Sequence, residues 1–270
     1  MEFDLKNQVV VITGGAGLLG FNYAKAIAEH GGIPILWDID EKKVKQKAEE
    51  IKKTGRKALG FKVDITSEKE IEKNVKMLLE ELGRIDVLIN NAANNPKIDK
   101  IQGKESTRLE NFPLKNWDAD LSVGLTGAFL CSRIIGKHMA KNGKGVILNI
   151  SSDLGIIAPD QRLYKKKGIS DDKQPVKPVT YSVVKHGIIG LTRYLATYWC
   201  KQGVRANAFC PGGVYNNQPD DFVKKVTDLI PLGRMAKPED YNKAVLFLIS
   251  DASSYMNGSV VAMDGGRTCW

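Results

Sequence analysis

Val9-Val10-Val11-Ile12-Thr13-Gly14-Gly15-Ala16-Gly17-Leu18-Leu19-Gly20 is the stretch on which the fold turns. Its first four residues are apolar and β-branched behind a polar lead-in, the pattern of a short strand buried on both faces. Apolar residues then recur with helical spacing at Leu18, Leu19, Phe21, Ala24, Ile27 and Ala28, and the run stops at Gly31-Gly32. Strand, glycine turn and helix in that order aim backbone N–H groups and a helix N-terminus at a phosphate. A glycine-rich turn elsewhere is usually only a turn. In this context it predicts a dinucleotide site.

Working outward, a second strand over Ile33–Trp37 ends at Asp38. A carboxylate about 20 residues past the glycine turn can accept both ribose hydroxyls and repel a 2′-phosphate. Residues 37–41 read Trp-Asp-Ile-Asp-Glu and no basic residue lies in the turn, so NAD is expected over NADP. The competing reading makes Asp38 a cap for the next helix, a job Asp40 could do instead. Helices over Glu41–Thr54 and Ser67–Leu82 alternate with strands Ala58–Lys62 and Asp86–Ile89, the first followed by Asp64 and the second by Asn90-Asn91-Ala92-Ala93. Leu114–Lys141 reads as one long or broken helix, Val146–Ile150 as a strand ending at Ser151-Ser152, and Val179–Lys201 as a helix. Strand Val204–Phe209, Pro211-Gly212-Gly213, two more helices and strand Ser259–Met263 complete the chain. Such alternation predicts an α/β fold with a doubly wound parallel sheet. Nothing in the composition splits the 270 residues, a length ordinary for a single domain.

Tyr181-Ser182-Val183-Val184-Lys185 puts a phenol and an ammonium one turn apart on a helix face. Such a pair is most often a surface contact. A phenol titrates near about 10, and a neighbouring cation favours its phenolate, which suits reversible proton transfer to a hydroxyl or carbonyl oxygen.

Composition narrows the function further. There is no 18-residue apolar run, and MEFDLKNQ is too polar for a signal peptide, so no membrane span and a cytoplasmic location are expected. Cys131, Cys200, Cys210 and Cys269 are scattered without a CxxC, as in reduced thiols, and His30, His138 and His186 lie too far apart for a zinc motif. No metal is expected. The net charge of +9 is spread over helix-like stretches such as EKKVKQKAEEIKK, the pattern of a solvated face, and no nucleic-acid recognition motif is visible.

Seven motifs in order, TGGAGLLG (13–20), Asp64, NNAA (90–93), NISS (149–152), YSVVK (181–185), VRANAFCPGG (204–213) and MDGG (263–266), make the chain resemble the short-chain dehydrogenases/reductases over nearly its whole length. The resemblance implies a Rossmann-type single domain, a small-molecule substrate, and a homotetramer or homodimer. It also implies that Ser152 holds the substrate oxygen, Tyr181 shuttles the proton, and Lys185 binds the nicotinamide ribose and acidifies Tyr181. Cofactor contacts carry over to Gly14, Gly17, Leu19, Gly20, Asp38, Asp64, Ile65, Asn90, Ala92, Pro211, Gly212 and Val214, besides Tyr181 and Lys185.

Three departures stand out. Leu18 occupies the middle glycine position of the family's TGxxxGxG turn, with Gly17 one place earlier. Gly124, in Val123-Gly124-Leu125-Thr126-Gly127, replaces the asparagine that in the family kinks a helix and anchors a relay water. Glycine could keep the kink and admit a further water, but it cannot supply the amide. Finally, Ser152 and Tyr181 lie 29 residues apart, which leaves an insertion within 156–179, and a second elaboration occupies 94–116. A loop this long is usually functional or mobile.

The turn, the insertion and the run PGGVYNNQP resemble the bacterial subgroup linked to flagellin modification and surface-sugar synthesis. Lys97, Lys100, Lys104, Arg108 and Lys115 outnumber three acidic residues in 94–116, as do Arg162, Lys165, Lys166, Lys167, Lys173 and Lys177 in 159–179. A cationic rim would concentrate an anionic substrate, a phosphorylated or nucleotide-linked sugar, with Arg162 gripping phosphate and Asp153 also on the substrate side. The alternative for the lysines is a solvated loop tip. Two other functions compete: an NAD-binding sensor impaired in catalysis, which Gly124 would allow, and a basic nucleic-acid binder.

Overall fold

In the computed structural model, which describes residues 3–94 and 107–270, β1 (Val9–Thr13) is buried along its whole length. Val10 and Ile12 belong to the core on one face of the sheet, while Val9 and Val11 belong to the core on the other. That is the period-2 alternation of a central strand, with each buried side chain contributing about 1.5–3 kcal/mol. Around it stand β2 (Ile33–Asp38), β3 (Leu59–Lys62), β4 (Val87–Asn90), β5 (Gly145–Ile150), β6 (Val204–Pro211) and β7 (Val260–Met263). All pair in parallel, in the order β3-β2-β1-β4-β5-β6-β7. The order reverses between β1 and β4, and such a switch point opens a crevice at the carboxyl ends of the strands.

Helices α1 (Leu18–Glu29) and α8 (Asn242–Ile249) cover one face. The other is covered by α3 (Glu68–Leu82), α5 (Gly127–Lys141) and α6 (Val179–Tyr198), while α2 (Glu41–Lys52) flanks β2 and β3. The helix expected over 114–141 is broken. α4 (Leu114–Leu121) passes through one wide π turn at Ser122–Thr126, which contains Gly124, before α5 begins. Glycine therefore keeps the kink.

By length and mean composition alone Leu114–Lys141 would be apolar enough to cross a membrane. Its apolar residues Leu130, Cys131, Ile135 and Met139 are instead packed in the core beneath the sheet.

The insertion before α6 is tied together by its own hydrogen bonds. Buried Gln174 accepts from Lys166 N at 2.8 Å and donates to the carbonyls of Lys166 (3.0 Å) and Ile169 (2.6 Å). The two elaborations also meet, since Val176 N donates to Thr107 Oγ1 at 3.1 Å and Arg108 donates to the Asp171 carbonyl at 3.0 Å. Of the cationic rim read in 94–116, Lys97, Lys100 and Lys104 lie outside the described residues. Beyond β6, α7 (Asp220–Thr227) faces the insertion, with the rings of Phe222 and Tyr164 5.9 Å apart.

Candidate active site

The glycine turn is locked to the turn after β4. Thr13 Oγ1 accepts from the backbone N–H of Asn91 (3.0 Å) and Ala92 (3.1 Å), and Asn91 Nδ2 donates to the carbonyls of Thr13 (3.0 Å) and Gly14 (3.2 Å). Gly14 has φ +62°, the left-handed region that favours glycine, and a Cβ on Gly20 would overlap the Gly14 carbonyl oxygen. Gly17 caps α1 with no side-chain acceptor, so the first-turn N–H groups have no partner within the helix. The turn borders a cleft of about 680 Å³ along the carboxyl ends of the strands, lined by Gly14, Gly17, Leu18 and Leu19. These residues fit a dinucleotide: close backbone at the turn, free helix N–H groups, and room for the whole cofactor.

Asp38 lines the same cleft and braces its floor. Its Oδ2 accepts from Ala16 N at 3.1 Å and its Oδ1 from Asp40 N at 3.2 Å. The cap of α2 is Asp40, which accepts from Lys43 N at 3.0 Å, so Asp38 does not serve as that cap. Asp64, Ile65, Ala92, Pro211, Gly212 and Val214 also border the cleft.

Gly20 and Asn90 do not. Gly20 serves the close packing of α1 on the turn. Asn90 is only 4% exposed, and its Nδ2 donates to Ser132 Oγ (2.9 Å) and Asn149 Oδ1 (2.8 Å). Asn149 donates in turn to Thr192 Oγ1 at 2.8 Å, which joins β4, β5, α5 and α6 from inside. Successive side chains at a strand end point to opposite sides, so Asn91 and not Asn90 borders the cleft.

At the far end of the cleft, α6 docks against the end of β5. Ser151 Oγ donates to the Lys185 carbonyl at 2.8 Å, and buried Lys185 donates from Nζ to the Ile150 carbonyl at 2.9 Å. Ser152, Tyr181 and Lys185 are thereby gathered on one wall of the cleft. Burial pushes the Tyr181 phenol up, the neighbouring Ser152 hydroxyl opposes this, and the Asp153 carboxylate adds to it. Burial also pulls Lys185 down to about 8. Asp153 accepts from Ser152 Oγ at 2.6 Å and from Leu154 N at 2.8 Å, and burial pushes its carboxyl up. It lines the cleft beside Ser152.

Arg162 is turned away. Its side chain is 81% exposed and forks onto Asp160, with Nε at 2.9 Å and Nη2 at 2.7 Å, and it is not among the cleft-lining residues. The i,i+2 spacing on a 3-10 turn closes that local pair before the guanidinium can reach inward. Among the described residues, the basic side chains bordering the cleft besides Lys185 are Lys177 and Arg267. Tyr164 and Phe222 also line the cleft, and no sequence motif points to any of these four. Among the described residues, no group of three or more His, Cys, Asp or Glu side chains could hold a metal ion.

Around Gly124 the space the family asparagine would fill is taken by α6. A Cβ there would lie 2.5 Å from Val184 Cγ1. A separate small cavity of about 20 Å³ adjoins Tyr181 and Lys185 and is bordered by Asp120 and Thr180, whose Oγ1 donates to Asp120 Oδ2 at 2.5 Å.

The short chain dehydrogenase family matches residues 8–164, and the enoyl-(acyl carrier protein) reductase family matches residues 170–268. The chain belongs to the short-chain dehydrogenases/reductases. It is similar to an uncharacterized oxidoreductase of Thermotoga maritima, 34% identical over 98% of this chain and 99% of that one. An NAD-dependent glycerol dehydrogenase of Listeria innocua is 31% identical over 99% of this chain and 96% of its own. A solved short-chain dehydrogenase/reductase from Mycobacterium marinum superposes with a TM-score of 0.84 at 29% identity, covering 99% of this chain and 98% of that one. As a member of this family the chain is an NAD(P)-dependent oxidoreductase.

Proposed function

We propose that this enzyme uses NAD to interconvert a secondary alcohol and a ketone on a small, polyhydroxylated, anionic substrate. The observation that carries the reading is the convergence of Ser152, Tyr181 and Lys185 on the wall of a cleft whose other end presents Asp38. NAD, when bound, supplies the hydride acceptor.

The chain's own residues do the rest. Asp38 receives the adenosine ribose hydroxyls, and its charge opposes a 2′-phosphate, which favours NAD. Ser152 donates to the substrate oxygen. Tyr181 takes the hydroxyl proton in oxidation and returns it in reduction. Lys185, fixed by the Ile150 carbonyl, sits beside the ribose and supplies positive charge to the site. Tyr164 and Phe222 exclude water from the substrate end.

The charge of the substrate is read from Lys177 and Arg267 at the cleft, which take the place expected for Arg162. The glycerol dehydrogenase relative supports a polyol-like substrate, and the flagellin and surface-sugar resemblance extends this to phosphorylated or nucleotide-linked sugars. The two stacked tyrosines exposed on α6, Tyr194 and Tyr198, support self-association.

The test is steady-state oxidation of a panel of polyols, sugar acids and sugar phosphates with NAD and NADP. The reading expects NAD-selective turnover with kcat/KM highest for an anionic member. Equal use of both cofactors would remove the cofactor assignment, and binding of NAD without turnover of any alcohol would favour a sensor.

A further inference from the structure

Among the described residues, the cation nearest the Tyr181 ring is not the lysine of the YxxxK motif. Lys177 Nζ lies 3.7 Å from the ring centroid, whereas Lys185 Nζ lies 5.8 Å away, near the outer limit of a useful cation–π contact. Lys177 belongs to the insertion, four residues ahead of the tyrosine and just before Pro178, which caps α6. It borders the cleft and the small cavity beneath Tyr181.

We propose that Lys177 is a positioning residue for the alcohol–ketone reaction: its ammonium, seated on the Tyr181 ring, favours the phenolate form of that side chain. The idea rests on the proposed role of Tyr181 as the proton shuttle. Ionising the phenol spreads a negative charge over the ring, so a cation on the ring stabilises the phenolate more than the phenol. Burial acts the other way and favours the protonated phenol.

The surrounding groups set when the ammonium is charged. Burial pulls Lys177 down to about 8, and Asp153, on the turn after β5, acts in the opposite direction. Lys185 on α6 repels it and is itself held at about 8. Tyr181 also faces Ser152 and Asp153, and Tyr164 of the insertion lies close enough to feel its charge. Asp120 of α4 shares the small cavity with both Lys177 and Tyr181. Facing a protonated phenol, Lys177 is charged below about pH 8, and a phenolate on the ring raises that limit in turn, so ammonium and phenol titrate as a pair. Because these groups interact, the midpoint measured for Tyr181 belongs to the set.

The experiment titrates phenolate absorbance in the NAD-bound protein, with Tyr181→Phe subtracted as the blank. Lys177→Met and Lys177→Gln should each raise the Tyr181 midpoint by about one pH unit, and Lys177→Arg should restore it. The rising pH limb of kcat for alcohol oxidation should move by the same amount. The titration needs no substrate, so it stands apart from whether any tested alcohol is turned over. An unchanged midpoint in both neutral variants overturns the proposal, as does a shift of equal size with arginine, which would make side-chain shape the cause. Loss of NAD binding in both neutral variants also overturns it, because Lys177 would then be holding the fold.

Discussion

Gly124→Asn restores the side chain most usual for the family, and the structure predicts that it harms this enzyme. The new Cβ would start 2.5 Å from Val184 Cγ1, well inside van der Waals contact. Val184 is 5% exposed, sits on α6 next to Lys185, and is β-branched, so its helical rotamer leaves little freedom to swing aside. Forcing extra volume into such a contact costs about 1–3 kcal/mol. For a chain of this length that corresponds to a melting temperature lower by roughly 2–5 °C. If α6 moves to relieve the overlap, Tyr181 and Lys185 move with it, and a misplacement approaching about 1 Å can cost on the order of a hundredfold in rate. The assay is a melting curve with kcat measured alongside. Adding Val184→Ala opens the space, so the double variant should recover stability by about 0.5–3 kcal/mol relative to the sum of the single changes. A Gly124→Asn protein with wild-type melting temperature and kcat, or strictly additive losses in the double variant, would refute this reasoning.

Asp38→Ser should lower NAD affinity and narrow the NAD-to-NADP preference by at least about tenfold, since it removes both the ribose acceptor and the partner of Ala16 N; an unchanged ratio of dissociation constants would reject the assignment. Tyr181→Phe should leave NAD binding intact while kcat collapses, and retention of more than about a tenth of the rate, about 1.4 kcal/mol of barrier, would mean another acid. Arg267→Ala should raise KM for an anionic substrate by about tenfold or more, whereas Arg162→Ala, already committed to Asp160 at the surface, should leave it within about twofold. In the same assays kcat/KM should fall as ionic strength rises, and salt-independent capture would count against an anionic substrate.

Sequence alone carried the sheet, because β-branched runs and helical spacing are local signals that the tertiary structure had only to assemble. β1, α1 and the glycine turn lie where their residues predict, and the order of motifs sufficed to name the family. It also placed Ser152, Tyr181, Lys185 and Asp38, since each sits at a strand end or helix turn whose direction the backbone fixes.

What sequence could not decide is which neighbour a side chain chooses. Asn90 and Asn91 are indistinguishable as letters, yet one closes a buried network across β4 and β5 while the other faces the cleft. Arg162 looked like an anion anchor until its carboxylate neighbour two residues away captured it. Lys177 looked like one more loop lysine, and only the packing of the insertion against α6 sets its ammonium on the Tyr181 ring. Gly124 likewise read as a missing amide, whereas the fold fills that place with Val184. Backbone direction follows from local propensity and periodicity, but the partners of long polar side chains follow from contacts between segments far apart in the chain, and those exist only once the chain has folded.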